Sequence, residues 1–325
     1  MKTPRRRLLQ SAAWTAGLAA MPCHPDAEAQ AAQPPFQVSG ELVTPGAAGG
    51  IARVKLGRYE VSRLIIGSNP FYGVSHFNRL LSSLMTEWYT PERVLQVVGQ
   101  CERQGVNTWQ LSYHDRSISD LKRHRAEGGR LQAVVLSRTD LEDKRELLGE
   151  VVKLNPIGIV HHGGSAERKR REGKIGQVRD FLKRVRDAGV MVGLSLHDPT
   201  LLEQVESENW DVDFYMTSLY YLTRTAEEFR KLLGTRPLGE VYVPEDPERM
   251  CAAIRRTRRT CLCYKVLAAG RLTDTPQQID QAFRFAFEHI KPQDCLIIGM
   301  YPRYADQVAD NAARVRRILG GKQPG

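Results

Sequence analysis

At 325 residues, 42% of them apolar and 26% charged, the chain has the balance of a soluble globular protein, which excludes a disordered or membrane-embedded one. Net charge is +10; four basic and two acidic residues in the first 29 supply +2, leaving +8 for the rest. The excess sits partly in Arg168-Lys169-Arg170-Arg171 and Arg255-Arg256-Thr257-Arg258-Arg259, runs without interleaved aromatics that fall beside helices, so they read as solvated faces and no nucleic-acid partner is expected.

Residues 4–10 read Pro-Arg-Arg-Arg-Leu-Leu-Gln, an apolar run follows from Ser11 to Met21, and Ala27-Glu28-Ala29 offers a small-x-small cleavage site. Together they predict a twin-arginine signal peptide over residues 1–29. The partner is then the twin-arginine export machinery, and the destination is periplasmic or otherwise extracytoplasmic. That route carries folded proteins, which hints at a group loaded before export. Pro22 stands where a lipoprotein signal needs a small residue before Cys23, so no lipid anchor is expected. Residues 30–50 are rich in Ala, Gly and Pro and form a flexible linker, which leaves 51–325 for one domain. No stretch after the leader reaches the ~20 apolar residues of a spanning helix, so no stable membrane insertion is expected. The other cysteines, Cys101, Cys251, Cys261, Cys263 and Cys295, are odd in number and irregular in spacing. Buried small side chains are expected, in place of a disulfide framework or a zinc site.

From Leu64 onward short β-branched or apolar runs alternate with helical segments, the pattern of repeated βα units. Eight strands are predicted near residues 64–67, 106–112, 131–137, 157–161, 190–196, 212–218, 260–266 and 295–299, with helices such as 91–104 and 176–188 between them, the latter stopped by Gly189. Eight consecutive right-handed crossovers close into a (β/α)8 barrel. A doubly wound sheet is the alternative, but no GxGxxG follows the first strand.

Barrel chemistry sits just past the carboxyl ends of the strands. Those positions read Gln110-Leu111-Ser112-Tyr113-His114-Asp115 after the second strand, His161-His162 after the fourth, His197-Asp198 after the fifth and Tyr264-Lys265 after the seventh, so half of the eight histidines fall on one rim. Imidazoles titrate near working pH and can move protons or ligate a metal. Asp115 and Asp198 can complete a mixed ligand set, although Asp198-Pro199 also reads as a helix start. Lys265 suits either a Schiff base, if burial frees its amine, or a plain pairing with an acidic neighbour or phosphate. Residues 225–246, between the sixth and seventh strands, read as a loop covering one side of the pocket.

Several segments resemble the aldo/keto reductase superfamily over nearly the whole chain after the leader. Lys55-Leu56-Gly57-Arg58 through Val61-Ser62-Arg63-Leu64 and Gly67-Ser68-Asn69-Pro70-Phe71 are similar to its opening strand, and Gly105-Val106-Asn107-Thr108-Trp109 to its entry into strand two. Tyr264-Lys265-Val266-Leu267-Ala268-Ala269-Gly270-Arg271-Leu272 resembles the loop that wraps the cofactor diphosphate, and Gly299, Gln307-Val308 and Asn311 resemble the segment that grips the adenosine end of NADP. The resemblance implies NADP as cofactor, held by Ser195, Lys265, Leu267, Gly270, Arg271, Gln307 and Asn311. It implies His161 as the family's catalytic histidine. The rest of the tetrad departs: Gln110 replaces the aspartate, Asp115 falls at the tyrosine with Tyr113 nearby, Ser137 or Arg138 replaces the lysine, and Leu196 follows Ser195 where an asparagine is expected.

Three functions are therefore expected in competition. The first is an exported aldo/keto reductase-like oxidoreductase using NADP(H) on a small carbonyl or sugar-like substrate, with His161 orienting the carbonyl and Tyr113 or His114, beside Asp115, as proton donor. The second is a metal-dependent hydrolase, lyase or isomerase in which His114, His161 and His197 hold zinc, manganese or another divalent ion. The third is a non-catalytic sugar-binding barrel using Trp88, Tyr89, Trp109, Tyr220 and Tyr221. The first two require the three histidines to converge on one cavity.

Overall fold

Strands β3 (Leu64–Gly67), β4 (Thr108–Ser112), β5 (Gln132–Leu136), β6 (Gly158–His161), β7 (Met191–Leu196), β8 (Phe214–Ser218), β9 (Thr260–Tyr264) and β10 (Cys295–Gly299) close into one barrel in the computed structural model, which describes residues 50–320. All neighbours are parallel, and β10 pairs with β3 through Leu296–Leu64 to Gly299–Gly67 to complete the ring. The expected export signal and the linker ahead of residue 50 lie outside the described residues.

Each expected barrel strand forms, within a residue or two, because the cues at its ends are local. Thr90 caps helix Pro91–Arg103 by accepting from the Arg93 N–H, with Pro91 at the first turn. Gly105 and Gly189 take left-handed φ of 90° and 72° where the preceding helices stop and the chain turns into β4 and β7. Asp198 caps helix Pro199–Ser207 through the Thr200 N–H, the helix start its sequence suggested. The region 225–246 differs from the loop expected there: Thr225 and Glu228 form a capping box, and Ala226–Leu233 is helical.

Two further strands, β1 (Arg53–Leu56) and β2 (Tyr59–Ser62), form an antiparallel hairpin ahead of the barrel. Its Leu56 and Val61 pack with Ile65, Val134, Val160, Phe214, Met216, Leu262 and Ile297 of the barrel interior. A Cβ on Gly57 at the hairpin turn would lie 2.9 Å from Sδ of Met191, the first residue of β7. The hairpin therefore plugs the amino-terminal mouth, and the carboxyl-terminal mouth is left for chemistry.

Inside the barrel two glycines make room for one aromatic ring. A Cβ on Gly158 or on Gly193 would stand 2.7 Å from atoms of Phe214, which is fully buried. Gly193→Ala is expected to lower unfolding stability by about 1–3 kcal/mol through overpacking, and adding Phe214→Leu should recover part of it. Denaturant midpoints of the single and double variants check this; an unchanged Gly193→Ala midpoint would refute the packing account. The five described cysteines are free and buried.

Candidate active site at the carboxyl-terminal rim

Strand side chains alternate between barrel interior and helical layer, and that alternation sorts the rim residues. On β6 Val160 belongs to the barrel interior, so His161 points the other way. It lies fully buried beside the Phe181 ring of helix Gly176–Asp187, at a centroid distance of 5.3 Å, with Nε2 3.5 Å from Glu142 Oε2. Its Nδ1 lies 3.1 Å from the His162 carbonyl, which can only accept, so Nδ1 carries the hydrogen. Glu142 also accepts from the hydroxyls of Ser137 and Ser165, at 2.8 and 2.7 Å, and from Lys169 Nζ at 3.1 Å. His161 is thus part of a buried polar knot behind the barrel wall and not the carbonyl-orienting histidine expected from the family.

The other residues of that expected set also lie elsewhere. His114 caps helix Asp115–Ala126, accepting from the Ser117 N–H, and its ring meets Tyr72 edge to face at 4.2 Å. Tyr113 and exposed Asp115 line a groove of about 340 Å³ between that helix and Arg145–Val152, outside the barrel. His114, His161 and His197 therefore do not converge, and among the described residues no group of three His, Cys, Asp or Glu side chains is placed to hold a metal ion. The aromatic platform is not assembled either: Tyr89, Trp109 and Tyr220 are buried in the core.

At the mouth itself a different constellation forms. Ser195 on β7 and Tyr264 on β9 meet over the intervening β8, Oγ to hydroxyl, at 3.0 Å. The Tyr264 hydroxyl is also 3.1 Å from Nε2 of His197, whose Nδ1 lies 3.2 Å from Glu167 Oε2. Glu167 comes from helix Gly163–Arg171, and its Oε1 accepts from the backbone N–H groups of His197 and Asp198. Because a carboxylate only accepts, His197 donates from Nδ1 and its Nε2 is free to accept the Tyr264 proton. Burial raises the Tyr264 pKa, so the proton leaves only when His197 or a substrate draws it. Burial likewise pushes His162, which comes back toward the mouth, down to about 4. Gln110 also faces inward, flanked by outward Trp109 and Leu111, and its Nε2 is buried without a hydrogen-bond partner among the described residues.

One side of the mouth is roofed. His76 donates from Nδ1 to Glu240 at 2.7 Å and accepts at Nε2 from Lys265 Nζ at 3.3 Å, with Asn69 Nδ2 at 3.1 Å. Arg271 stacks on the rings of Tyr242 and Phe77, at 4.2 and 5.0 Å, and donates to the carbonyls of His76, Ala268 and Glu240. Thus the segment after Ala226–Leu233 does lean over the rim, on the β9 side.

The residues expected to hold NADP fit it at one end only. Ser195 stands at the mouth with Tyr264. Arg271, however, is committed to three backbone carbonyls, Gln307 Oε1 accepts the Tyr301 N–H at 2.7 Å, and buried Asn311 accepts from Arg314 at 3.3 Å. Leu267 and Gly270 are joined to each other across the turn that follows Lys265. The adenosine-side grip is therefore tied up internally.

Eight parallel strands ringed by helices, with a polar cluster on the carboxyl-terminal rim, define a (β/α)8 barrel. Neither a family model nor a curated protein matches the chain. Among solved structures it is similar to the glycerol dehydrogenase AKR11B4 from Gluconobacter oxydans, an aldo/keto reductase, with TM-score 0.52 and 12% identity over 84% of this chain and 96% of that one. It is also similar to Gox0644 in its apo form, with TM-score 0.51 and 10% identity over 85% and 97%. At such identities the likeness shows the fold alone.

Proposed function

We propose that the carboxyl-terminal mouth is the active site of an enzyme that moves a proton to or from the oxygen of a small carbonyl or sugar-like substrate. The Glu167–His197–Tyr264 chain carries this reading: a carboxylate fixes the imidazole tautomer, and the imidazole faces a buried phenol at hydrogen-bond distance. In one direction Tyr264 takes a substrate hydroxyl proton as it passes its own to His197 Nε2, and Glu167 stabilises the resulting imidazolium. In the other the same protons run back and Tyr264 protonates the substrate oxygen. Ser195 holds the phenol oxygen in place, and Gln110 Nε2 supplies a donor to the bound oxygen.

The finer reading is an exported aldo/keto reductase-type oxidoreductase, supported by the barrel likeness and by the segments in the 264–272 and 299–311 regions. NADP(H) would supply the hydride in that case. The engagement of Arg271, Gln307 and Asn311 opposes it, so the proton chemistry stands first. The test follows aldoses and hydroxyketones by NMR in deuterated water, with and without NADPH. Reduction that needs NADPH supports the reductase, and deuteration beside the carbonyl without it, as Tyr264 protonates the oxygen and water takes the adjacent C–H proton to give the enol, supports proton transfer alone. A protein that does neither to any of them overturns both.

A further inference from the structure

Lys265 is not used by the proton chain, yet it stands on the rim in a strained backbone conformation. Its φ is +63°, a left-handed conformation that a non-glycine residue adopts only when its surroundings impose it, and such strain gathers at working sites. The half-buried amine stands over the Tyr264 ring, 5.2 Å from its centroid, and 3.3 Å from His76 Nε2. Three groups from three parts of the chain face it: His76, Glu240 and Tyr264. Only Glu240 is a carboxylate, and it is spent on His76. The amine therefore has an acceptor for one hydrogen but no direct counter-ion. Burial accordingly pushes the Lys265 pKa down to about 8, with Glu240 opposing.

We propose that Lys265 is a nucleophile that captures an aldehyde or ketone as an imine at the barrel mouth, a chemistry needing no bound cofactor. It rests on the carbonyl reading of the site and shares Tyr264 with it. The Nζ lone pair attacks the carbonyl carbon, a C–N bond forms, and the C=O π pair moves to oxygen. That oxygen takes the Tyr264 proton, while the ammonium nitrogen gives one proton to His76 Nε2. The hydroxyl then leaves as water with the His76 proton, the nitrogen lone pair closes C=N, and the remaining N–H proton returns to Tyr264. Amine and carbonyl become imine and water, with nothing oxidised or reduced.

The test treats the full chain with glycolaldehyde and sodium cyanoborohydride at pH 7, without nicotinamide cofactor, and maps the reduced adducts by peptide mass. Lys265 is expected to label about tenfold faster than the solvent-exposed lysines, because a pKa near 8 leaves far more free amine than one above 10. Tyr264→Phe should slow Lys265 labelling and leave the exposed lysines unchanged. Lys265→Arg should remove that adduct; if this variant fails to fold, the wild-type map decides alone. Labelling of Lys265 no faster than the surface average overturns the proposal. Preferential labelling in a protein that neither reduces nor deuterates any carbonyl compound would keep the imine and discard the proton-transfer enzyme. Tyr264-dependent turnover without preferential labelling would do the reverse.

Discussion

Tyr264→Phe is expected to lower turnover on carbonyl or sugar-like substrates by roughly 10²–10⁴-fold, the range of a lost general acid or base. The aromatic ring, which packs against the barrel-interior cluster, is kept. What disappears is the oxygen that joins Ser195 and His197. Both former partners are themselves buried, so the change in unfolding free energy should be about 1–3 kcal/mol. Steady-state kinetics and denaturant unfolding of the same preparation test the two halves together. Turnover that survives within a factor of a few would show that the proton travels by another group.

Glu142→Ala should behave in the opposite way. Its carboxylate and His161 are both almost wholly buried, and it gathers Ser137, Ser165 and Lys169 as well. Removing one member of such a knot leaves the others desolvated and unpaired, a loss of about 3–5 kcal/mol. The fraction that still folds should retain its kcat and KM, since the knot stands behind the wall of β6. Burial alone would raise the Glu142 pKa, but His161, the two hydroxyls and Lys169 overcome it and hold the carboxyl below its ordinary 4.5. Its stabilisation is thus present above 4.5 and is lost as pH falls toward the folded-state value. His161 adds to the same slope, because burial keeps it neutral while the unfolded chain takes up a proton below about 6.5. Wild-type stability should therefore fall on acidification from neutral pH, and Glu142→Ala should flatten the fall. A Glu142→Ala protein as stable as wild type, with an unchanged acid limb, would remove the knot from the account.

The rim was legible in part. Tyr264, Lys265 and His197 are all visible as strand-end residues, and the resemblance pointed to Ser195. Nothing local shows that Tyr264 lies against His197, because 67 residues separate them and only closure of β7, β8 and β9 brings them together. Glu167 carries no signal at all: it is one acidic residue in a basic helix, 30 positions from the histidine it orients. His76 and Glu240, on loops 164 residues apart, are equally silent.

The sequence by itself determined the alternation of strands and helices, their caps and stops, and hence the barrel, because those cues act over a few neighbouring residues. Which rim histidine faces the mouth was decided by the tertiary structure alone. Side chains on a strand switch sides at every residue, so His161 and His162 are interchangeable in a linear reading. Only the register of β6 against β5 and β7 sends the first into the helical layer with Glu142 and turns the second back toward Lys265 and His197.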